Sequence, residues 1–221
     1  MTNSKRIAAI ESFIDINDNV ADIGSDHGYL LIDLYKMNHD GRLLGVENKK
    51  GPFKILSDNI HEIDKNSLIK ISLSDGLDDV DTKAFETIVI AGMGFDSIKQ
   101  ILDRNINKVS NIEKLIVDSH TKNKELREYL INLGFQIDDE EIIFEKGKYY
   151  EIEVFIKGQK KYSQIQIKYG PILLKEKSID FINKYKDELI KLEDLVNNDK
   201  ITKGKKDLLI NEIIEKKEII S

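Results

Sequence analysis

Residues 20–30 read Val-Ala-Asp-Ile-Gly-Ser-Asp-His-Gly-Tyr-Leu. A short apolar run ends in an acid and turns through two glycines into a segment with helical character. Doubly wound α/β sheets present a nucleotide-like cofactor in this way, at the end of their first strand. The residues between the glycines narrow the cofactor. A dinucleotide fingerprint needs a glycine where this chain has Asp26, so that backbone can approach a pyrophosphate. A carboxylate there repels phosphate. A cofactor with an adenosine and no phosphate fits better, and S-adenosylmethionine (SAM) is the common one.

The chain has 221 residues, 40% hydrophobic and 33% charged, enough for one full domain and a smaller appendage. It has no cysteine, which excludes disulfides and thiolate metal sites, and its four histidines show no ligand spacing, so no metal is expected. The polar start at residues 1–6 lacks the apolar region of a secretory leader, and no run approaches a bilayer span. A cytoplasmic protein, monomeric and without a membrane partner, is expected. The net charge of −6 argues weakly against a nucleic-acid partner, but local charge matters more than the sum.

Ser4 is a plausible cap for a first helix with Ile7, Ile10 and Ile14 on one face. Strand-like runs then alternate with helical ones. The strands are Val20–Ile23, Leu43–Val46, Ile69–Leu73, Thr87–Ile90 and Lys114–Val117. The helices are Tyr29–Met37, Pro52–Ile63, Asp96–Asn105 and Lys122–Leu133. This order predicts a parallel sheet with helices on both faces. Phe135–Phe144 and Tyr149–Ile156 read as a closing antiparallel hairpin, the usual ending of the Rossmann-like class I SAM-dependent methyltransferase sheet. Beyond it, Ile172, Ile179, Ile182, Leu189 and Leu192 suggest one seam on a long helix. Asn197-Asn198-Asp199 interrupts that seam, and Leu208 to Ile220 forms a second, shorter helix. The expected division is residues 1–158 for the cofactor domain and 159–221 for a helical hairpin. That hairpin contacts RNA, dimerises, or is simply a solvated pair.

Three acids follow three consecutive strands: Asp22, Glu47 and Asp75. Each alone could be a cap or turn residue, but open α/β sheets bind ligands at those strand ends. Glu47 is placed to take both ribose hydroxyls, and Asp75, in Ser74-Asp75-Gly76-Leu77, could accept from the adenine amino group. Gly24 and Gly28 let the first turn approach the methionine part. Ser25, Gly76, Gly92 and Met93 complete the cofactor set. Gly92 and Gly94, in Ile90-Ala91-Gly92-Met93-Gly94-Phe95, keep backbone near the acceptor. Asp118-Ser119-His120 offers polar groups on the same rim.

These motifs are similar to those of the bacterial tRNA (adenine-22, N1)-methyltransferases, the TrmK type. The resemblance rests on ADIGSDHGYL at 21–30, GVEN at 45–48 followed by GPF at 51–53, SDGL at 74–77, IAGMG at 90–94 and YGPILLKEK at 169–177. Ser4-Lys5-Arg6 also fits. The combination of GSDH with AGMG is the specific part, and motif order holds over almost the whole chain. The resemblance implies a SAM-binding N-terminal domain, a small C-terminal helical part, and N1 methylation of one adenine in tRNA. Two positions depart from its pattern: Phe95 stands where a glycine is expected, and Asp118-Ser119-His120 where an asparagine-containing tripeptide is expected.

The product of N1 attack carries positive charge, which a nearby carboxylate stabilises. Asp26 is the candidate catalytic residue; capping the next helix or holding the SAM ammonium are the alternatives. His27 is either a donor to backbone or an acid or base. Tyr29, Phe53 and Tyr149 are candidates for stacking on the base, with core packing the better reading of Phe53, and Phe95 could substitute for another aromatic. Gly94 completes the substrate set on the backbone side. RNA contact needs positive charge. Lys157, Lys160, Lys161, Lys168, Lys175 and Lys177 supply it with Glu176 as the lone acid among them, and Lys160 and Lys161 are expected in a groove beside the active site, joined by Lys5 and Arg6. The competing functions are SAM chemistry on another acceptor and a non-catalytic SAM-binding RNA adaptor. NAD-dependent oxidoreduction is disfavoured by Asp26.

Overall fold

In a computed structural model, the protein is described over residues 4–65, 68–197 and 201–221. Residues 1–3 of the polar start, and Asn198 and Asp199 of the expected helix interruption, lie outside these. Ser4 caps α1 (Lys5–Ser12): its Oγ accepts from the Ile7 amide and donates to Glu145. Ile10 is buried, with Ile7 and Ile14 packed beside it.

β1 (Val20–Ile23) is buried at all four positions, as a central parallel strand must be. It is followed by α2 (Tyr29–Lys36), β2 (Leu43–Glu47), α3 (Lys50–Ile63), β3 (Ile69–Leu73), β4 (Thr87–Met93), α4 (Phe95–Arg104), α5 (Ile106–Val109), β5 (Lys114–Ser119) and α6 (Asn123–Asn132). The hairpin β6 (Phe135–Glu145) and β7 (Lys148–Lys157) closes one seven-stranded sheet in the order β3-β2-β1-β4-β5-β7-β6. β1 to β5 pair in parallel and β7 runs antiparallel to β5. Two apolar clusters cover its two faces, one around Ile88, Ile90 and Leu115, the other around Val89, Ile116 and Leu31. This is the expected Rossmann-like methyltransferase sheet. β4 and β5 run on past their predicted ends, the first through a bulge at Ala91–Met93 where Gly92 takes φ +77°.

The C-terminal part departs from the predicted single seam. It holds α7 (Gln164–Tyr169), α8 (Pro171–Glu176), α9 (Ile179–Val196) and α10 (Lys203–Ile220). Gly170, at φ +86°, followed by Pro171 separates α7 from α8, and Lys177 in left-handed conformation separates α8 from α9. The buried face of α9 is therefore Phe181, Tyr185 and Leu189, and Ile179 is 69% exposed. α10 begins at Lys203, not Leu208, and matches α9 in length at 18 residues.

These helices are fastened to the sheet. Ile142 on β6 packs with Tyr169, Leu173, Phe181, Tyr185 and Ile219. Beside them Arg127 of α6, fully buried, bonds Glu140 at 2.9 Å and Glu151 at 2.8 Å and lies 3.0 Å from Glu153. Lys184 of α9 also pairs with Glu151, and Glu140 accepts from the Ile172 amide at 2.8 Å. The two cations hold Glu151 down at about 2 against its burial, while burial drives Glu153 well above the ordinary carboxylate range.

Candidate active site

The strand order reverses between β1 and β4, and a cleft of about 820 Å³ opens there at the carboxyl ends of the parallel strands. The turn after β1 forms its floor. The Gly24 and Ser25 amides both donate to the Val46 carbonyl, at 2.8 and 2.9 Å, which folds the turn over β2. Gly24 has φ +78°, and a Cβ there would lie 2.2 Å from Met93 Cε. Gly28 has φ +75°, and a Cβ there would lie 2.6 Å from Leu56. Both are thus required as glycine by sterics and by backbone.

Asp22 and Glu47 are buried at the ends of their strands, and both line the cleft with Asp75. Ser25 Oγ donates to Asp22 at 2.7 Å. Burial still raises the Asp22 carboxyl to about 6, against the pull of Ser25 and Arg6. One Glu47 oxygen accepts from the Lys49 amide at 2.8 Å. Asp75 is held by neighbouring side chains. It accepts from Arg104 at 2.6 Å and from Asn48 at 3.1 Å, and Arg104 holds it below the usual carboxylate range. At Gly76, φ +62°, an added Cβ would lie 2.9 Å from Ile101.

Asp26 sits at the left-handed φ of +48°, its side chain 64% exposed and lining the cleft. The cap of α2 is Gly28, with no side-chain cap bond, so helix capping is not its role. Its carboxylate lies 3.5 Å from His27 Nε2. The His27 ring lies 5.4 Å from that of Tyr29, which is 46% exposed on the same rim. His27 also anchors the turn through its carbonyl, which accepts from Asn59 at 2.9 Å.

Gly92, Met93 and Gly94 line the wall opposite. Arg6 enters from α1: a Cβ added at Gly92 would lie 2.9 Å from its guanidinium, which pairs with fully buried Asp118. His120 lines the rim as expected, while Ser119 is buried and donates to the Thr121 carbonyl at 2.7 Å.

Three placements, those of Phe95, Lys5 and the Lys160-Lys161 pair, correct the sequence reading. Phe95 is 9% exposed, edge-on to Tyr129 at 6.0 Å in the core, so it offers the cleft no stacking face. Phe53 packs against the second apolar cluster, in line with core packing as the better reading of it. Lys5 is exposed and does not line the cleft. Lys160 and Lys161 follow the end of β7, which pairs with the beginning of β5, so they lie at the amino ends of the parallel strands, opposite the cleft. Lys157 and Lys168 are drawn into internal contacts, with the Val109 carbonyl and with Glu215. Arg104, Gln100 and Ser97, all on α4, line the cleft unforeseen, since helix residues distant in sequence carry no local mark of facing a strand end.

The residues suit SAM: two buried carboxylates for cationic and diol groups, backbone opened by positive-φ glycines, and no basic cradle for a pyrophosphate at the first turn. Among the described residues no group of acids, histidines or cysteines could hold a metal ion, and no helix is long and apolar enough to cross a membrane.

A parallel sheet closed by an antiparallel hairpin, with its cleft at the β1/β4 switch point, defines a methyltransferase domain, and residues 3–152 match the family model of that description. The chain is 34% identical over 194 residues to the tRNA (adenine(22)-N(1))-methyltransferase of Bacillus subtilis (strain 168), covering 84% of this chain and 81% of the relative. It belongs to that family. Streptococcus pneumoniae Sp1610 in complex with S-adenosyl-L-methionine superposes with a TM-score of 0.90 at 33% identity over 100% of both chains. The B. subtilis m1A22 tRNA methyltransferase TrmK does so at 0.84 and 28%, over 100% of this chain and 99% of that one.

Proposed function

We propose that this chain transfers the methyl group of S-adenosylmethionine to N1 of adenine 22 in tRNA. The observation that carries the reading is the ring of strand-end acids around the switch-point cleft, with the exposed Asp26 carboxylate on the turn between them. Family membership supplies the acceptor.

When bound, SAM supplies an activated sulfonium methyl, so the protein's work is positioning. Glu47, with an oxygen left over from Lys49, is assigned to the ribose diol. Asp22 and the Gly24–Gly28 turn are assigned to the methionine end, where the buried carboxylate faces its ammonium. Asp75, oriented by Arg104 and Asn48, borders the adenine end. Ser25, Gly76, Gly92 and Met93 shape the walls.

The acceptor nitrogen lies on the Watson–Crick edge, so the base must leave any pairing to react. Tyr29 and His27 offer the aromatic rim for it, and Gly94 leaves backbone free beside it. Asp26 accepts from the exocyclic amino group and offsets the charge that develops on the ring as N1 is alkylated. Residues 1–158 form the catalytic domain in this reading, and 159–221 the helical part that contacts tRNA. The protein works as a cytoplasmic monomer.

The test is incubation with SAM and an unmodified tRNA transcript, followed by digestion to nucleosides. The reading predicts 1-methyladenosine; its absence at full cofactor occupancy would overturn it.

A further inference from the structure

A second cavity, of about 550 Å³, lies between the β6–β7 turn and α9, lined by Gly147, Lys148, Tyr149 and Tyr150 on one side and Lys184, Asp187, Glu188 and Lys191 on the other. His120 lines both this cavity and the active-site cleft, so the two meet at that residue. The α9 wall is one helical face, at spacings of three, four and seven. Packed helix faces are normally apolar; this one is wholly charged, and the space before it is unfilled by protein. We propose that this crevice receives the nucleotides flanking the target adenine, an assignment that rests on the function proposed above.

The charges support an anion. Asp187 accepts from the Tyr149 hydroxyl at 2.9 Å, Glu188 pairs with Lys216 at 3.2 Å, and Lys184 pairs with Glu151. Lys148 and Lys191 have no ion pair among the described residues, and both are exposed. Glu188 is thus answered by a cation from within the protein and Asp187 is held by a hydroxyl, so that Lys148 and Lys191, both without an ion pair, outnumber the one acid at the crevice that lacks a cation among the described residues. That is the arrangement a phosphodiester needs.

The aromatic groups support a splayed strand. Tyr150 sits edge-on to His120 at 5.9 Å, with the Arg6 guanidinium carbon 5.3 Å from its ring. Tyr149 packs on Phe144 at 4.7 Å. Arg6, Tyr150 and His120 therefore run from the cleft wall to the crevice. A base drawn out of its stack pulls its neighbours with it, and tyrosine faces accept any base by stacking.

The test is the double reversal Lys148→Glu/Lys191→Glu, with Lys160→Glu/Lys161→Glu as a control of equal charge at the opposite end of the sheet. Direct tRNA binding is measured over a salt series beside methyl transfer, SAM affinity and thermal unfolding. The crevice variant is expected to weaken tRNA binding roughly ten-fold or more, to lower the slope of log affinity against log salt by about one to two, and to raise KM for tRNA with SAM affinity and unfolding unchanged. The control is expected to leave both tRNA binding and its slope close to those of the unaltered protein. An unchanged slope in the crevice variant, or an equal loss in the control, would overturn the proposal. If the unaltered protein binds tRNA through Lys148 and Lys191 but forms no 1-methyladenosine, the proposed reaction fails and the crevice stands.

Discussion

Arg6 of the first helix is ion-paired with Asp118, a carboxylate with no solvent exposure at the end of β5. The pair joins residues 112 apart in sequence and seals one wall of the cleft. Among the described residues Asp118 Oδ1 has no hydrogen-bond partner, and Arg6 is the only cation paired with this carboxylate. Arg6→Ala leaves a buried charge alone and is expected to lower stability by about 3 kcal/mol, read from urea unfolding. Adding Asp118→Asn should recover much of that loss. A single variant as stable as the parent would mean that the pair is not formed.

Asp26, on the turn after β1, lines the cleft with its side chain 64% exposed and His27 Nε2 3.5 Å away. Asp26→Ala is expected to keep SAM affinity within a few-fold by calorimetry and to slow methyl transfer about 10²-fold or more. Loss of cofactor affinity instead would make Asp26 a cofactor residue.

Burial lifts the Asp22 carboxyl from 3.8 to about 6. Its neutral form is favoured in the fold, so the protein without cofactor loses stability as pH rises through that window. A cationic cofactor group needs the charged form. SAM affinity should therefore fall as pH drops below about 6, approaching ten-fold per unit, and Asp22→Asn should weaken binding and flatten the profile. A parent profile already flat from pH 5 to 7 would remove Asp22 from the ammonium site.

Arg127 is surrounded by three buried acids at 2.9, 2.8 and 3.0 Å. Arg127→Ala is expected to destabilise by roughly 3–5 kcal/mol in urea unfolding, and to loosen α9 from the sheet, seen as faster amide exchange at Phe181 and Tyr185. Unchanged exchange there would mean that the apolar cluster alone holds the helix.

The sheet and the strand-end acids were legible because each signal is local: an apolar run, then an acid, then a glycine turn. What was missed is long-range. Lys160 and Lys161 follow the cofactor domain in sequence, but β7 runs backwards and delivers them to the far end of the sheet. Phe95 opens α4 beside the glycines of the cleft, yet the helix turns it into the core. The seam from Ile172 to Leu192 assumed one helix, and the break at Lys177 resets its phase. The first turn of α10 is Lys-Gly-Lys-Lys, which carries no apolar period to announce it. Arg104 on Asp75 and Arg6 on Asp118 join residues that no spacing rule connects.

The central claim is tested most directly by exposing the protein to methyl-labelled SAM with two unmodified tRNA transcripts, one with adenine at position 22 and one with guanine there. Label in the first and none in the second is the predicted result. Equal label in both would contradict the target position, and label in neither, with SAM bound, would contradict the acceptor.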